Sequence, residues 1–219
     1  MRADNFPEQR IRALAQSHEV RVAGARDRLL SEAFVLFYAS GIRAVGIDLV
    51  ISRAGVAKAS FYRHFPSKAE LIVAYVTRRH DALLAWLMED VSARAEGPQD
   101  RLVAIFDSLG DLFADPEFRG CPVINAVAEV GADSEPVVAE ALRCKAATRD
   151  WVLSLAKEAG LKRPDEAAHQ WELLIDGAFV AAQRTKDATP ARDARHTAEL
   201  LLRVLTGGAA PARRRSVRP

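Results

Sequence analysis

Cysteine is nearly absent from this chain: of 219 residues only Cys121 and Cys144 carry thiols, and they form no CxxC pair. That excludes a disulfide scaffold and fits a reducing cytoplasm. Long apolar runs are missing too. None approaches the ~18 residues of a membrane span, and residues 1–17, polar and mixed in charge, do not read as a signal peptide. The five histidines and many carboxylates fall without metal-ligand spacing, and HExxH, GxSxG, Walker and GxGxxG patterns are all lacking. His80-Asp81 reads as a surface-helix pair rather than a catalytic dyad. No enzyme, metal, cofactor or membrane contact is expected, and the chain is expected in the cytoplasm.

Apolar residues make up 49% of the chain, enough for a packed interior. The net charge of +2 hides an asymmetry. Residues 1–80 carry 13 Lys/Arg against 7 Asp/Glu, whereas residues 81–206 carry 14 against 22, and the last 13 residues add four arginines. A basic first third on an acidic body suits a head that binds a polyanion, because Lys/Arg contacts release counterions from phosphate. Chance fluctuation of charge explains the same numbers, so the asymmetry alone does not decide.

No β-branched run bounded by turn residues is long enough to suggest a sheet, and nearly every segment has helical periodicity. The fold class expected is all-α. A first helix is expected from about Val22 to Ala39, closed by Gly41, and residues 1–20 are expected as a mobile arm. Asp48 is expected to cap a short helix that ends at Gly55. A second short helix follows over about Lys58–His64. Ser67 and Glu70 have the spacing of a capping box opening a long helix to about Ala95. Further helices are expected over about 99–114, 121–130, 135–159, 165–185 and 191–206, separated by Gly, Pro and Asp clusters. Residues 207–219 (GGAAPARRRSVRP) read as a disordered basic tail.

The stretch from Ile47 to Phe65 reads as two short helices joined at Gly55. Val50, Ile51, Ala54, Val56 and Phe61 suit a small shared core. A helix in the major groove needs small residues where backbone meets bases, and hydroxyl or cationic groups at the rims for phosphates. Ala59 and Ser60 meet the first need; Lys58, Tyr62, His64 and Lys68 meet the second. Arg53 and Ser60 are candidate base contacts, and each could instead face solvent. Tyr62 could simply cover the small core, and His64 could be a packing histidine.

Residues 54–71 (AGVAKASFYRHFPSKAEL) resemble the signature of the TetR family of bacterial transcriptional regulators. The resemblance implies a helix-turn-helix DNA-binding domain over 21–66 and a helical ligand-binding and dimerisation domain over 67–206. It makes Lys58–His64 the recognition helix, with Tyr62, His64 and Lys68 at phosphates. It also implies a homodimer on double-stranded palindromic DNA, acting most often as a repressor and released by a small-molecule inducer. Gly46 stands where the family often has threonine, Ala59 where it has glycine and Ile51 where it has alanine, which bears on base preference.

In the body, Trp171, Leu174, Ile175, Ala178, Phe179 and Ala182 form one stripe, and Ala194, Ala198, Leu201, Leu202 and Leu205 a second. The residues expected at the dimer interface are Trp171, Ile175, Ala178, Ala182, Ala198, Leu201, Leu202 and Leu205, small ones suiting close helix approach; an intramolecular core is the alternative. Trp86, Phe106, Phe113, Trp151 and Phe179 are candidates to line an inducer pocket. Asn125, Glu129, Asp176 and Gln183 are candidates to orient its occupant. Cys121 and Cys144 read as buried structural thiols, although Arg119, Arg143 and Lys145 are near enough in sequence to lower a thiol pKa. The rivals to a regulator are a helical enzyme with a vestigial head and a non-specific architectural protein.

Overall fold

Gly55 makes the first decisive turn. In the computed structural model, which describes residues 7–16 and 24–207, its φ of 61° and ψ of 41° are left-handed. A side chain there would strain the backbone, so glycine ends one helix and frees the next. That turn joins α3 (Ile47–Ala54) to α4 (Lys58–His64), and both rest on α2 (Ala25–Ser40). Phe34, Val50, Phe61 and Phe65 are buried together and define a three-helix head.

The head is joined to α5 (Lys68–Arg94), whose first turn is capped as the sequence indicates: the Glu70 amide donates to Ser67 Oγ at 3.2 Å. At 27 residues α5 is roughly 40 Å long. Around it pack α6 (Pro98–Ala114), α7 (Pro122–Val130) and α8 (Glu135–Glu158), with a 3-10 turn at Gly131–Asp133. Two last helices, α9 (Pro164–Thr185) and α10 (Thr189–Leu205), lie against α6 and α8. The described residues contain no strand, so the all-α expectation holds. No described helix is long and apolar enough to cross a membrane.

Three expectations need correction. Residues 7–16 are not a free arm: they form α1 (Pro7–Gln16), which packs on α5 and α6. Its anchors are Ile11, fully buried, and Glu8, whose carboxylate takes the guanidinium of buried Arg79 and a 2.9 Å hydrogen bond from the Tyr38 hydroxyl. The α3 cap also differs. Gly46 holds the cap position and Asp48 Oδ1 instead accepts from Lys58 Nζ at 3.0 Å.

The third correction concerns the apolar stripes of α9 and α10. Trp171, Ile175, Ala178, Ala182, Ala198, Leu202 and Leu205 are buried within one chain, and Leu201 is half-buried. Trp171 donates its indole N–H to the Leu102 carbonyl of α6 at 2.9 Å. Periodicity identifies the face that is buried, not the partner that buries it. The exposed side of α9 instead carries Leu173, Gly177 and Val180, and that of α10 carries Val204. The basic tail beyond Gly207 and the arm residues 1–6 and 17–20 lie outside the described residues.

Candidate nucleic-acid interface

The sequence folds α4 so that one side chain anchors it and the rest stay out. Phe61 is fully buried, meeting Phe65 at 6.0 Å between ring centroids, while Lys58, Ala59, Tyr62 and Arg63 are exposed and Ser60 and His64 half-buried. Tyr62 stands edge-on to Phe61 with 5.2 Å between centroids, which steadies its ring while leaving the residue 46% exposed.

Cations surround this helix, and Arg53, Lys58 and Arg63 each already have a hydrogen-bond acceptor. Arg53 pairs with Glu32 at 3.2 Å and Lys58 with Asp48, whose hydrogen bond holds the Lys58 ammonium above its ordinary pKa. Arg63 donates to Ser60 Oγ at 3.1 Å. Such exposed pairs are weak and screened, so a phosphate can displace the carboxylate.

Lys68 behaves differently from expectation. Its ammonium donates to the Ile42 carbonyl at 2.6 Å and lies over the Phe37 ring. Burial lowers its pKa, against the pull of Glu129. It therefore ties the start of α5 to the turn after α2, and a phosphate would have to compete with that bond.

Residues 29–75, which span this whole surface, match the family model described as bacterial regulatory proteins, tetR family. A solved TetR-family transcriptional regulator from Streptomyces coelicolor is 32% identical, with a TM-score of 0.71 over 83% of this chain and 96% of that one. The chain belongs to the TetR family. It is thus similar in role to DNA-binding transcription regulators rather than to enzymes. The HTH-type transcriptional regulator LmrA of Bacillus subtilis is 26% identical over 172 residues, 76% of this chain and 90% of LmrA. The HTH-type transcriptional activator FasR of Mycolicibacterium smegmatis is 32% identical over 154 residues, 69% of this chain and 66% of FasR.

Behind the helix-turn-helix of this TetR-family protein, a cleft of about 290 Å3 separates the head from the body. Phe37, Tyr38 and Ile42 form its head wall, Tyr75 of α5 lines it, and Asn125, Glu129 and Gln183 bring polar groups from α7 and α9. Asn125 and Glu129, two of the residues expected to orient an inducer, thus meet in one place. The seam is bonded: the Arg43 amide donates to Glu129 Oε2 at 2.9 Å and the Arg43 guanidinium reaches the Glu129 carbonyl. Gln183 donates to Asn125 Oδ1 at 3.2 Å, and Asn125 to the Arg119 carbonyl at 2.9 Å.

The other inducer candidates of this regulator are dispersed. Trp86 and Phe106 are fully buried, and Trp151 is half-buried against the core. Phe113 and Phe179 pack on one another at 5.2 Å and on Phe118. Asp176 forms an ion pair with Lys145. Cys144 is buried, and burial together with Glu140 pushes its thiol up to about 12, the reverse of activation by Arg143. The sequence reading left out Glu8, Tyr38, Arg43 and Arg79 as contributors to the head–body seam. Nothing local flags them, because their partners lie 30 to 86 residues away.

Proposed function

We propose that this TetR-family protein is a homodimeric repressor, resident in the cytoplasm, that grips a palindromic operator and leaves it when a small molecule binds the body. The observation that carries the reading is α4, held by Phe61 while its other side chains stay outward. In this reading the DNA-binding domain spans residues 21–66 and the body residues 67–206. Lys58, Tyr62 and His64 meet phosphates, while Arg53, Ala59 and Ser60 approach base edges. Lys68 reaches phosphate only by exchanging its bond to Ile42.

Pairing of two copies is supported by the outward face of α9, where Leu173 is 74% and Val180 48% exposed on either side of Gly177. Bare apolar side chains flanking a glycine suit close helix–helix approach. Two heads then reach half-sites about 34 Å apart, or a multiple of it. FasR is called an activator. Repression is the reading proposed here because an operator overlapping a promoter needs nothing beyond occupancy.

The test is selection of binding sites from a random duplex pool, followed by footprinting. The expected product is an inverted repeat protected by a dimer. Tyr62→Ala together with Lys58→Ala should weaken binding across sequences and lower the slope of log affinity against log salt by about one. Recovery of no common sequence, or unchanged affinity in that variant, rejects the reading. Reporter expression that rises when the operator is bound rejects repression alone.

A further inference from the structure

We propose that the head–body cleft is the effector site and that it takes a small, uncharged aromatic molecule bearing a carbonyl oxygen, held by the hydroxyl of Tyr75. The proposal rests on the inducer reading above and names its site and ligand chemistry. Tyr75 is 2% exposed, wedged edge-on against Phe37 and Phe34 with centroids 5.3 and 6.4 Å apart. It lines the cleft, yet its hydroxyl makes no hydrogen bond to any described residue. No described group accepts from it, so the hydroxyl is left to bond whatever occupies the cleft, water or ligand. Burial pushes the phenol well above its ordinary pKa, so it remains a proton donor and requires an acceptor.

The charges at the cleft argue for neutrality. Glu129 already accepts from the Arg43 amide and feels the Lys68 ammonium. The Arg119 guanidinium donates to the carbonyls of Pro116 and Phe118 at 2.7 and 2.9 Å. An anion would meet Glu129, and a cation would meet Arg119. The apolar part of the lining, Phe37, Ile42, Pro122 and Ala128, suits a flat hydrocarbon face. At about 290 Å3 the space falls at the small end of ligand pockets, ~300–1,000 Å3, so one or two rings fit. Because one wall is α2 and the other α7, an occupant changes how the head sits on the body. A ligand that prefers one such pose shifts the population toward it.

The experiment titrates full-length protein by ligand-observed NMR with coumarin and 1-tetralone, both neutral aromatic carbonyl compounds. 2-Naphthoate and 2-naphthylmethylamine serve as charged comparators. At least one neutral probe should saturate, and each charged probe should bind about ten-fold more weakly or less. Tyr75→Phe removes only the donor and should weaken the neutral probe about five-fold. Ala128→Trp, at an exposed position on the rim, should abolish binding by filling the space. The proposal is overturned if neither neutral probe binds below about 5 mM, if charged probes bind equally well, or if both variants bind like the parent. Operator affinity is measured separately with the probe that binds. Binding through Tyr75 without loss of operator affinity upholds the site and rejects the inducer reading.

Discussion

Glu8 is a carboxylate that folding has taken out of water and surrounded with specific partners. Arg79 is its counter-ion, Tyr38 donates to it, and the Glu8 amide itself donates to Asp115 at 3.2 Å. Burial still pushes the Glu8 carboxyl above its ordinary range, against the Arg79 charge. Arg79 in turn stacks on Tyr38, 3.5 Å from the ring centroid. Removing one member of such a buried pair strands the other, so Glu8→Ala should cost about 3–5 kcal/mol of unfolding free energy in urea. Glu8→Gln keeps an acceptor for Tyr38 but still strands the Arg79 charge, so it should retain most of that loss, and an unchanged stability in either variant would refute this account. Gly120 is a second residue with little freedom. Its φ is 91°, and a Cβ would clash with the Gln183 side-chain amide. Gly120→Ala should destabilise by about 1–3 kcal/mol. Adding Gln183→Ala removes the steric clash but not the backbone strain, so stability measurements on the double variant should recover only part of the loss.

The helices themselves were largely legible in the amino-acid order. Gly55 ends α3, Ser67 and Glu70 open α5, and prolines stand in the first turns of α6 to α10, all local signals with local causes. The faces were not. Trp171 and Leu173 are two residues apart on α9, yet one is wholly buried and the other three-quarters exposed. The helices packed against α9, chiefly α8 and α10 with α6, decide which is which. Leu173→Glu should therefore leave the fold intact and turn a dimer into monomers in light scattering, whereas the buried stripe would not tolerate such a change. A monomer in the parent protein would refute that assignment of the face.

Between α5 and α8, His80 is buried with Nε2 3.0 Å from Thr148 Oγ1, and Asp81, Arg143 and Lys145 act on it electrostatically. Burial is the largest influence and lowers its pKa below 6.5, with Asp81 opposing. The unfolded chain then binds a proton that the folded chain resists. Stability contributed by neutral His80 is present above pH 6.5 and is lost as pH falls from there through its lowered value. Urea melts of the parent and of His80→Gln should show a shallower decline over that window in the variant. Parallel curves would refute the assignment.

At the scale of the whole molecule, the sequence motif identifies the part that touches DNA but is silent about how that part is mounted. Residues 54–71 carry the family signature on their own. The seam needs Glu8 from α1, Tyr38 and Arg43 from the head, and Arg79 and Glu129 from the body. None belongs to a pattern of fixed spacing, so only the folded chain brings them together. The inducer candidates divide in the same way. Asn125 and Glu129 lie one turn apart on α7 and both line the cleft, whereas Phe113 and Phe179 pack on one another and Trp86, Phe106 and Trp151 sit elsewhere in the core.

Mounting of this kind constrains anyone who wants to re-address the regulator by transplanting a relative's DNA-binding head onto this body. A cut at the end of α4 would carry Tyr38 and Arg43 away from the carboxylates that they face, and would orphan Arg79 in the interior. A working hybrid must move both halves of each handshake, so the exchangeable unit includes α1 and is wider than the motif itself.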